Sequence, residues 1–247
     1  FGLNEANRDA ASIETLNKIS IQSSSFNDQV VYDPGFLKTG QGKPFSVFTP
    51  FKRRWIENFD MNFLDIAKPS KLKKSYSIQG DLSKLKFAKT HSANIDLWPA
   101  GESAAKEKLK NFLQSKVQSY SESRNSPIID GTSRISPYLA LGVLSPKRCI
   151  LEGLKLNNFE FTSGNKGICK WIDEIVWREF YRNIMHSFPK VSKNRPFQDY
   201  TNSIQWRHSD NELKAFYAGK TGFPIVDAGI RQMLSEGWMH NRLRMVV

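Results

Sequence analysis

The sequence has no apolar run approaching the roughly 18 to 20 residues that a bilayer-spanning helix needs, and its aromatic-rich stretch 171–180 is interrupted by Asp173, Glu174, Arg178 and Glu179. No membrane span is expected. Cysteine is nearly absent: Cys149 and Cys169 stand without CxxC spacing or a histidine cluster. That argues against a disulfide framework, a structural zinc site or a thiol redox pair, so both thiols are expected to be packed and no metal is called for. Acidic residues are also few. The 24 Asp and Glu face 36 Lys and Arg, a formal charge of +12. Such a surplus repels itself unless an anionic partner selects it, and nucleic acid is the leading candidate. There is no initiator methionine, signal-peptide pattern or internal repeat, and no Gly or Pro terminator in the helical pattern ending at Val247. The 247 residues therefore read as an internal piece of something longer.

What is present suggests two regions joined by a connector. Residues 1–67 mix a short helix (Ala10 to Lys18), a strand-like segment (Gln29 to Tyr32), a Gly/Pro loop and a second helix with Thr49 as cap and Pro50 at its first position. This is the pattern of the C-terminal part of an α/β domain. Residues 68–97 turn to Lys and Ser, including Lys71, Lys73, Lys74, Lys84, Lys86 and Lys89, and read as an exposed interdomain connector. Residues 98–247 are patterned for helices over Glu102 to Val117, Ser136 to Leu156, Lys166 to Ser187, Asn211 to Ala218 and Pro224 onward.

Three constellations carry chemistry. In Asp130 to Pro137, hydroxyls and an Arg precede a helix, which suits a phosphate; an ordinary Ser/Thr cap has the same look. Along 171–184, at 100° per residue, Trp171, Glu174, Trp177, Arg178 and Tyr181 share a sector about 120° wide, opposite Ile172, Ile175, Val176 and Phe180. Large aromatics are rarely left exposed together, so this face lines either a cavity for a ring or base, or an aromatic core with a satisfied ion pair. Glu179 falls on the apolar side and has no explanation in the wheel. In the last helix Asn241, Arg244 and Met245 stand at i, i+3 and i+4, which fits a site or a solvated stripe equally.

Together, the run Trp171 to Tyr181 (WIDEIVWREFY), Lys220 to Asp227 (KTGFPIVD), Gly237 to Met245 (GWMHNRLRM), Val47 to Lys52 (VFTPFK), Asp130 to Ser136 (DGTSRIS) and Asn4-Glu5 resemble the photolyase and cryptochrome family, most closely its class I cyclobutane pyrimidine dimer enzymes. The resemblance runs over nearly the whole chain and is weakest in the connector. It implies a remnant of a Rossmann-like α/β antenna domain followed by a mostly all-α domain that binds FAD, incomplete at both ends. It places Tyr120, Thr132, Ser133, Arg134, Ile135 and Ser136 at the flavin's diphosphate and ribityl region. Trp171, Arg178 and Arg244 would be further flavin neighbours. Glu174, Trp177, Tyr181, Asn241 and Met245 would receive a flipped pyrimidine dimer, with Asn241 facing both dimer and flavin. Arg124 and Arg242 would contact the DNA backbone. Trp206 matches the outermost tryptophan of an electron-transfer chain. Asn4, Glu5 and Lys193 match antenna-holding positions, which favours methenyltetrahydrofolate over a deazaflavin.

The implied activity is light-driven repair of UV-damaged DNA by electron transfer from excited reduced FAD, by a monomer that is cytoplasmic in a bacterium or nuclear in a eukaryote. The rival within the family is a cryptochrome-type photoreceptor without repair. There Asn241 discriminates: plant-type cryptochromes carry Asp, and animal cryptochromes and (6-4) enzymes read His-His where this chain reads His240-Asn241. Outside the family stands a non-catalytic basic helical module. Because the family continues past the position of Val247 with further flavin contacts, this piece alone is expected to hold FAD weakly or not at all.

Overall fold

A computed structural model describes residues 2–64 and 95–247; residues 68–94 of the expected connector, with its six named lysines, lie outside the described residues. Among the described residues the chain is helical: α1 (Leu3–Lys18), α2 (Phe48–Glu57), α3 (Glu102–Ser115), α4 (Tyr120–Ser123), α5 (Ser136–Ala140), α6 (Pro146–Leu156), α7 (Lys166–Ser187), α8 (Asp210–Tyr217), α9 (Pro224–Glu236) and α10 (Asn241–Val246), with short 3-10 turns between them. They fall into two compact units, 2–64 with 101–208, and 95–100 with 209–247. No described helix is long and apolar enough to cross a membrane, and no described group of His, Cys, Asp and Glu could hold a metal ion. Cys149 is buried, with its thiol pushed up to about 12 by burial, and both cysteines are free.

The first unit is organised around α7. Asn165 caps it by accepting from the Ile168 N–H at 3.0 Å, and Asn165 is itself fixed by its own N–H donating to the Asn157 Oδ1 at 2.8 Å. Its apolar side, Ile168, Ile172, Ile175, Val176 and Phe180, is buried as the periodicity implies. Helix α6 packs against it through Cys149, Ile150 and Leu154, all with no exposed surface. At the start of α7 only glycine fits: a Cβ on Gly167 would lie 2.2 Å from the Val117 carbonyl oxygen and 2.3 Å from that of Gln118. Gly167→Ala is therefore expected to cost about 3 kcal/mol or more in chemical denaturation, since backbone rather than a flexible side chain must give way. A wild-type denaturation midpoint would contradict this close approach.

Several expected boundaries shift for identifiable reasons. Helix α1 begins at Leu3 rather than Ala10, and α2 begins at Phe48 with Val47 at the cap, leaving Thr49 and Pro50 inside its first turn. A proline is tolerated there because first-turn N–H groups have no intrahelical partner anyway. The single helix expected over 136–156 is two, broken where Gly142 adopts φ +71° and Pro146 restarts α6. The helix expected from Pro224 to the end is likewise divided at Gly237, which caps α9 in the left-handed conformation.

The α/β expectation for residues 1–67 needs correction, because the described residues contain no strand. Val30, Val31 and Tyr32 are 1%, 6% and 4% exposed, so the segment expected to be strand-like is part of the core. Its backbone donors, however, find a side chain instead of a neighbouring strand. The Val31 and Tyr32 N–H groups donate to the two carboxylate oxygens of Glu179 at 2.7 and 3.1 Å. The Trp55 indole N–H donates to the same carboxylate at 2.8 Å, and the Tyr32 hydroxyl donates to the Trp55 carbonyl at 3.0 Å. Glu179, which the helical wheel left unexplained, is the buried acceptor that makes an irregular segment feasible inside the protein.

In the second unit, the Asp227 carboxylate accepts from the Thr221 N–H and hydroxyl, both at 2.7 Å, and from the Gly222 N–H at 3.1 Å. These bonds, the Thr221 hydroxyl foremost, hold the carboxyl below its usual range. Arg231 donates twice to the Gly219 carbonyl. The Lys220 to Asp227 motif thus builds the turn that launches α9. The Trp98 indole donates to the Glu236 carbonyl at the other end of that helix.

Candidate cofactor and nucleic-acid site

On α7, Glu174, Trp177, Arg178, Tyr181, Arg182 and Met185 line an open cleft of about 530 Å³, with Gly2 at its edge. The wheel therefore located a real concavity, but the five residues it grouped do not share one environment. Trp171 is 1% exposed and packs against Phe112 at 5.4 Å and against Gly153, away from the cleft lining. Arg178 is committed to protein acceptors: the Gln29 carbonyl, the Gln29 Oε1 at 2.7 Å and the Leu139 carbonyl at 3.2 Å. Burial and the neighbouring Arg182 push its guanidinium down to about 10. Arg182 donates to the same Gln29 oxygen at 2.9 Å.

Glu174 is paired with Arg124, whose side chain is only 11% exposed, and stands 3.9 Å from Lys170. The structure therefore joins a residue expected at the base edge to one expected at the DNA backbone. Arg124 also lies over the Tyr120 ring at 5.6 Å. Trp177 is half-buried, and Phe48 of α2 lies flat on it, ring centres 3.7 Å apart and planes 9° apart. Tyr181, 59% exposed, follows at 5.6 Å. A carboxylate held in place by a guanidinium beside a fixed indole can hydrogen-bond and stack a planar ring.

The second candidate region is the loop 130–136. Asp130 accepts from Lys116 at 2.5 Å and stands 3.3 Å from the Arg134 Nε. Burial pushes the Asp130 carboxyl up, but the Lys116 hydrogen bond and the charges of Arg134 and Lys108 outweigh it and leave it below the usual range. Lys108 is pushed down by burial and by Arg134 and Lys116. Three cations around one carboxylate leave local positive charge beside the hydroxyls of Thr132 and Ser133. That donor set fits a diphosphate. Arg134 sits at φ +49° and Gly131 lies against Ser123, so the loop is tightly folded. Tyr120 and Ile135 are 7% and 3% exposed, while Ser136 is exposed at the start of α5.

Within the second unit, Asn241 and Met245 are both exposed on α10; Met245 is 70% exposed. Arg244 donates to the Met239 carbonyl at 3.2 Å, and Arg242 reaches the Met245 sulfur at 3.7 Å. His240, 2% exposed, caps the helix by accepting from the Arg242 N–H. Back in the first unit, Trp206 is 73% exposed. Asn4 and Glu5 open α1, which packs on the 3-10 turn Pro189–Lys193 that ends at Lys193, so the elements bearing the three antenna candidates adjoin.

Sequence reasoning missed Phe48, Gln29, Arg182, Lys108 and Lys116. Phe48 was within reach, because it lies in the quoted Val47 to Lys52 motif; the others depend on contacts between distant segments.

Comparison with known proteins gives a consistent picture. Residues 1–71 match the family model "DNA photolyase", and residues 171–247 match the "FAD binding domain of DNA photolyase". A deoxyribodipyrimidine photo-lyase of Escherichia coli K12 is 37% identical over 246 residues, covering 100% of this chain and 51% of that protein. A crystal structure of a bacterial class III photolyase from Agrobacterium tumefaciens superposes with a TM-score of 0.85 at 33% identity, covering 97% of this chain and 50% of the other. A cryptochrome from Synechocystis superposes with a TM-score of 0.76 at 22% identity, over 98% of this chain and 51% of that one, which is a likeness of fold alone. The chain spans about half the length of the curated relatives it matches.

Proposed function

Given that the chain belongs to the DNA photolyase family, we propose that the protein containing it repairs cyclobutane pyrimidine dimers in DNA under blue light, with FAD as the working cofactor. The observation that carries this reading is the α7 cleft, where an Arg124-bound Glu174 stands beside the half-buried indole of Trp177. An extruded dimer needs a stacking plane and a fixed hydrogen-bonding edge, and these two residues supply them.

FAD, when bound, supplies the one-electron chemistry that splits the cyclobutane ring. This chain's part is to hold and orient. Tyr120 and residues 132–136, with Lys108 and Lys116 nearby, would hold the diphosphate; Trp171, Arg178, Asn241 and Arg244 are assigned to the flavin by resemblance. Trp177 and Tyr181 would stack the dimer, with Arg124 keeping the Glu174 carboxylate in place for a thymine edge; Asn241 and Met245 are assigned to the dimer by resemblance. Trp206 is proposed as an electron-relay residue, and Asn4, Glu5 and Lys193 as contacts for a folate antenna. The charge of +12 supports a polyanionic substrate.

The full-length protein with reduced flavin should remove thymine dimers from a damaged oligonucleotide in blue light and leave them intact in the dark; equal dimer loss in both would sink the reading. Affinity for DNA should fall steeply with salt, and Arg242→Ala should lower the slope of log affinity against log salt by about 1, as loss of one phosphate contact requires. The cryptochrome-type alternative is disfavoured by the His240-Asn241 pair.

A further inference from the structure

The stacking indole does not stand alone, and what fixes it comes from a distant part of the sequence. Phe48 opens α2, inside the region matched by the DNA photolyase model, whereas Trp177 lies inside the region matched by the FAD-binding model. Their rings are nearly face to face at 3.7 Å and 9°. Aromatic pairs left to themselves prefer offset or edge-to-face arrangements with centres about 4.5–7 Å apart, so this geometry is imposed by how α2 is held.

Three contacts hold it, all on α7. Lys52 pairs with Asp173 at 2.6 Å, Phe51 packs on Phe180 at 5.3 Å, and the Trp55 indole donates to Glu179 at 2.8 Å. Positions 48, 51, 52 and 55 form one face of α2, and three of them are anchored on α7 residues other than Trp177. Phe180 meets both Phe48 and Trp177 edge-on, at 5.9 and 5.6 Å. Phe48 thus covers one face of the indole and leaves rotation of Trp177 no room on that side.

We propose that Phe48 is a positioning residue for substrate: it sets the plane of the Trp177 ring and restricts stacking to the ring's other face, so that the pocket is formed before the dimer arrives. This rests on the dimer-repair reading above. A preformed platform loses less freedom on binding than an indole that must first be ordered.

The test uses the full-length flavoprotein and two oligonucleotides, one with a thymine dimer and one undamaged. Phe48→Leu keeps an apolar side chain but no flat ring, and Phe48→Tyr keeps the ring. Phe48→Leu should weaken dimer affinity about tenfold, the size of an aromatic stacking contribution, with affinity for undamaged DNA and flavin content unchanged. Phe48→Tyr should restore dimer affinity. The inference is overturned if Phe48→Leu binds the dimer as tightly as wild type, if it loses affinity for both oligonucleotides or loses its flavin, or if Phe48→Tyr is equally impaired. Failure of the repair reading looks different: wild type itself would then show no preference for the dimer, and both proposals would fall.

Discussion

Replacing Glu179 with alanine is expected to destabilise the first unit by roughly 3–6 kcal/mol, enough to unfold a domain of ordinary stability. The carboxylate is 5% exposed and is the acceptor for three buried donors, the N–H groups of Val31 and Tyr32 and the Trp55 indole. Each orphaned donor costs about 1–3 kcal/mol, moderated by water entering the vacated space. Urea denaturation followed by tryptophan fluorescence measures the change; a shift below about 1 kcal/mol would mean the segment finds other acceptors.

The same carboxyl makes stability depend on pH. Burial raises it to about 7, against the lowering effect of the three hydrogen bonds and of Arg178. An unfolded glutamate titrates near ~4.3. Because the folded value is the higher one, the folded state binds the proton more tightly, and this group's contribution is full below the unfolded value. It is lost as pH rises from about 4.3 towards 7 and is constant above that, a change of a few kcal/mol at about 1.4 per pH unit. Glu179→Gln cannot titrate. The difference in stability between wild type and Glu179→Gln should therefore slope over that window and flatten above it. A difference independent of pH would rule out the raised value.

On the proposed function, the largest functional effect is expected from Trp177→Ala in the full-length protein. Stacking of a base on an aromatic ring contributes about 1–3 kcal/mol, so dimer-specific affinity should fall roughly 10- to 100-fold, and light-driven repair should fall by the same factor at dimer concentrations well below the wild-type Kd. Glu174→Ala should also lose repair, because it removes the hydrogen-bonding edge and strips Arg124 of its partner. Affinity for undamaged DNA should change far less in Trp177→Ala, since an indole makes no charged contact with phosphate. Wild-type repair in both variants would remove the α7 cleft as the dimer pocket.

These residues also show what local sequence can express. Helix α7 was legible to both its ends because Asn165 is a strong cap and an apolar periodicity, interrupted on the buried side by Glu179 and Asn183, runs along its 22 residues. The breaks at Gly142 and Gly237 were legible in principle as well, being glycines in the left-handed region, but periodicity on either side masked them. The segment 29–32 was not, since its β-branched run looks identical whether its N–H groups meet a strand or a carboxylate 148 residues away. Of the candidate site, the wheel found the side chains of the cleft, yet it could not foresee that Trp171 would be buried against Phe112 or that Gln29 would engage Arg178. Such pairings are properties of the packed chain.

The Glu179 bridge has a bearing on biosynthesis. Val31 leaves the ribosome 148 residues ahead of the carboxylate that accepts its N–H. At about 5–20 residues per second, the apolar run 30–32 waits roughly 7 to 30 s for its acceptor to be made. During that interval the nascent segment is an unshielded hydrophobic tract with open hydrogen-bond donors, suited to a chaperone that holds extended peptides, and its final shape is acquired only after α7 has been translated.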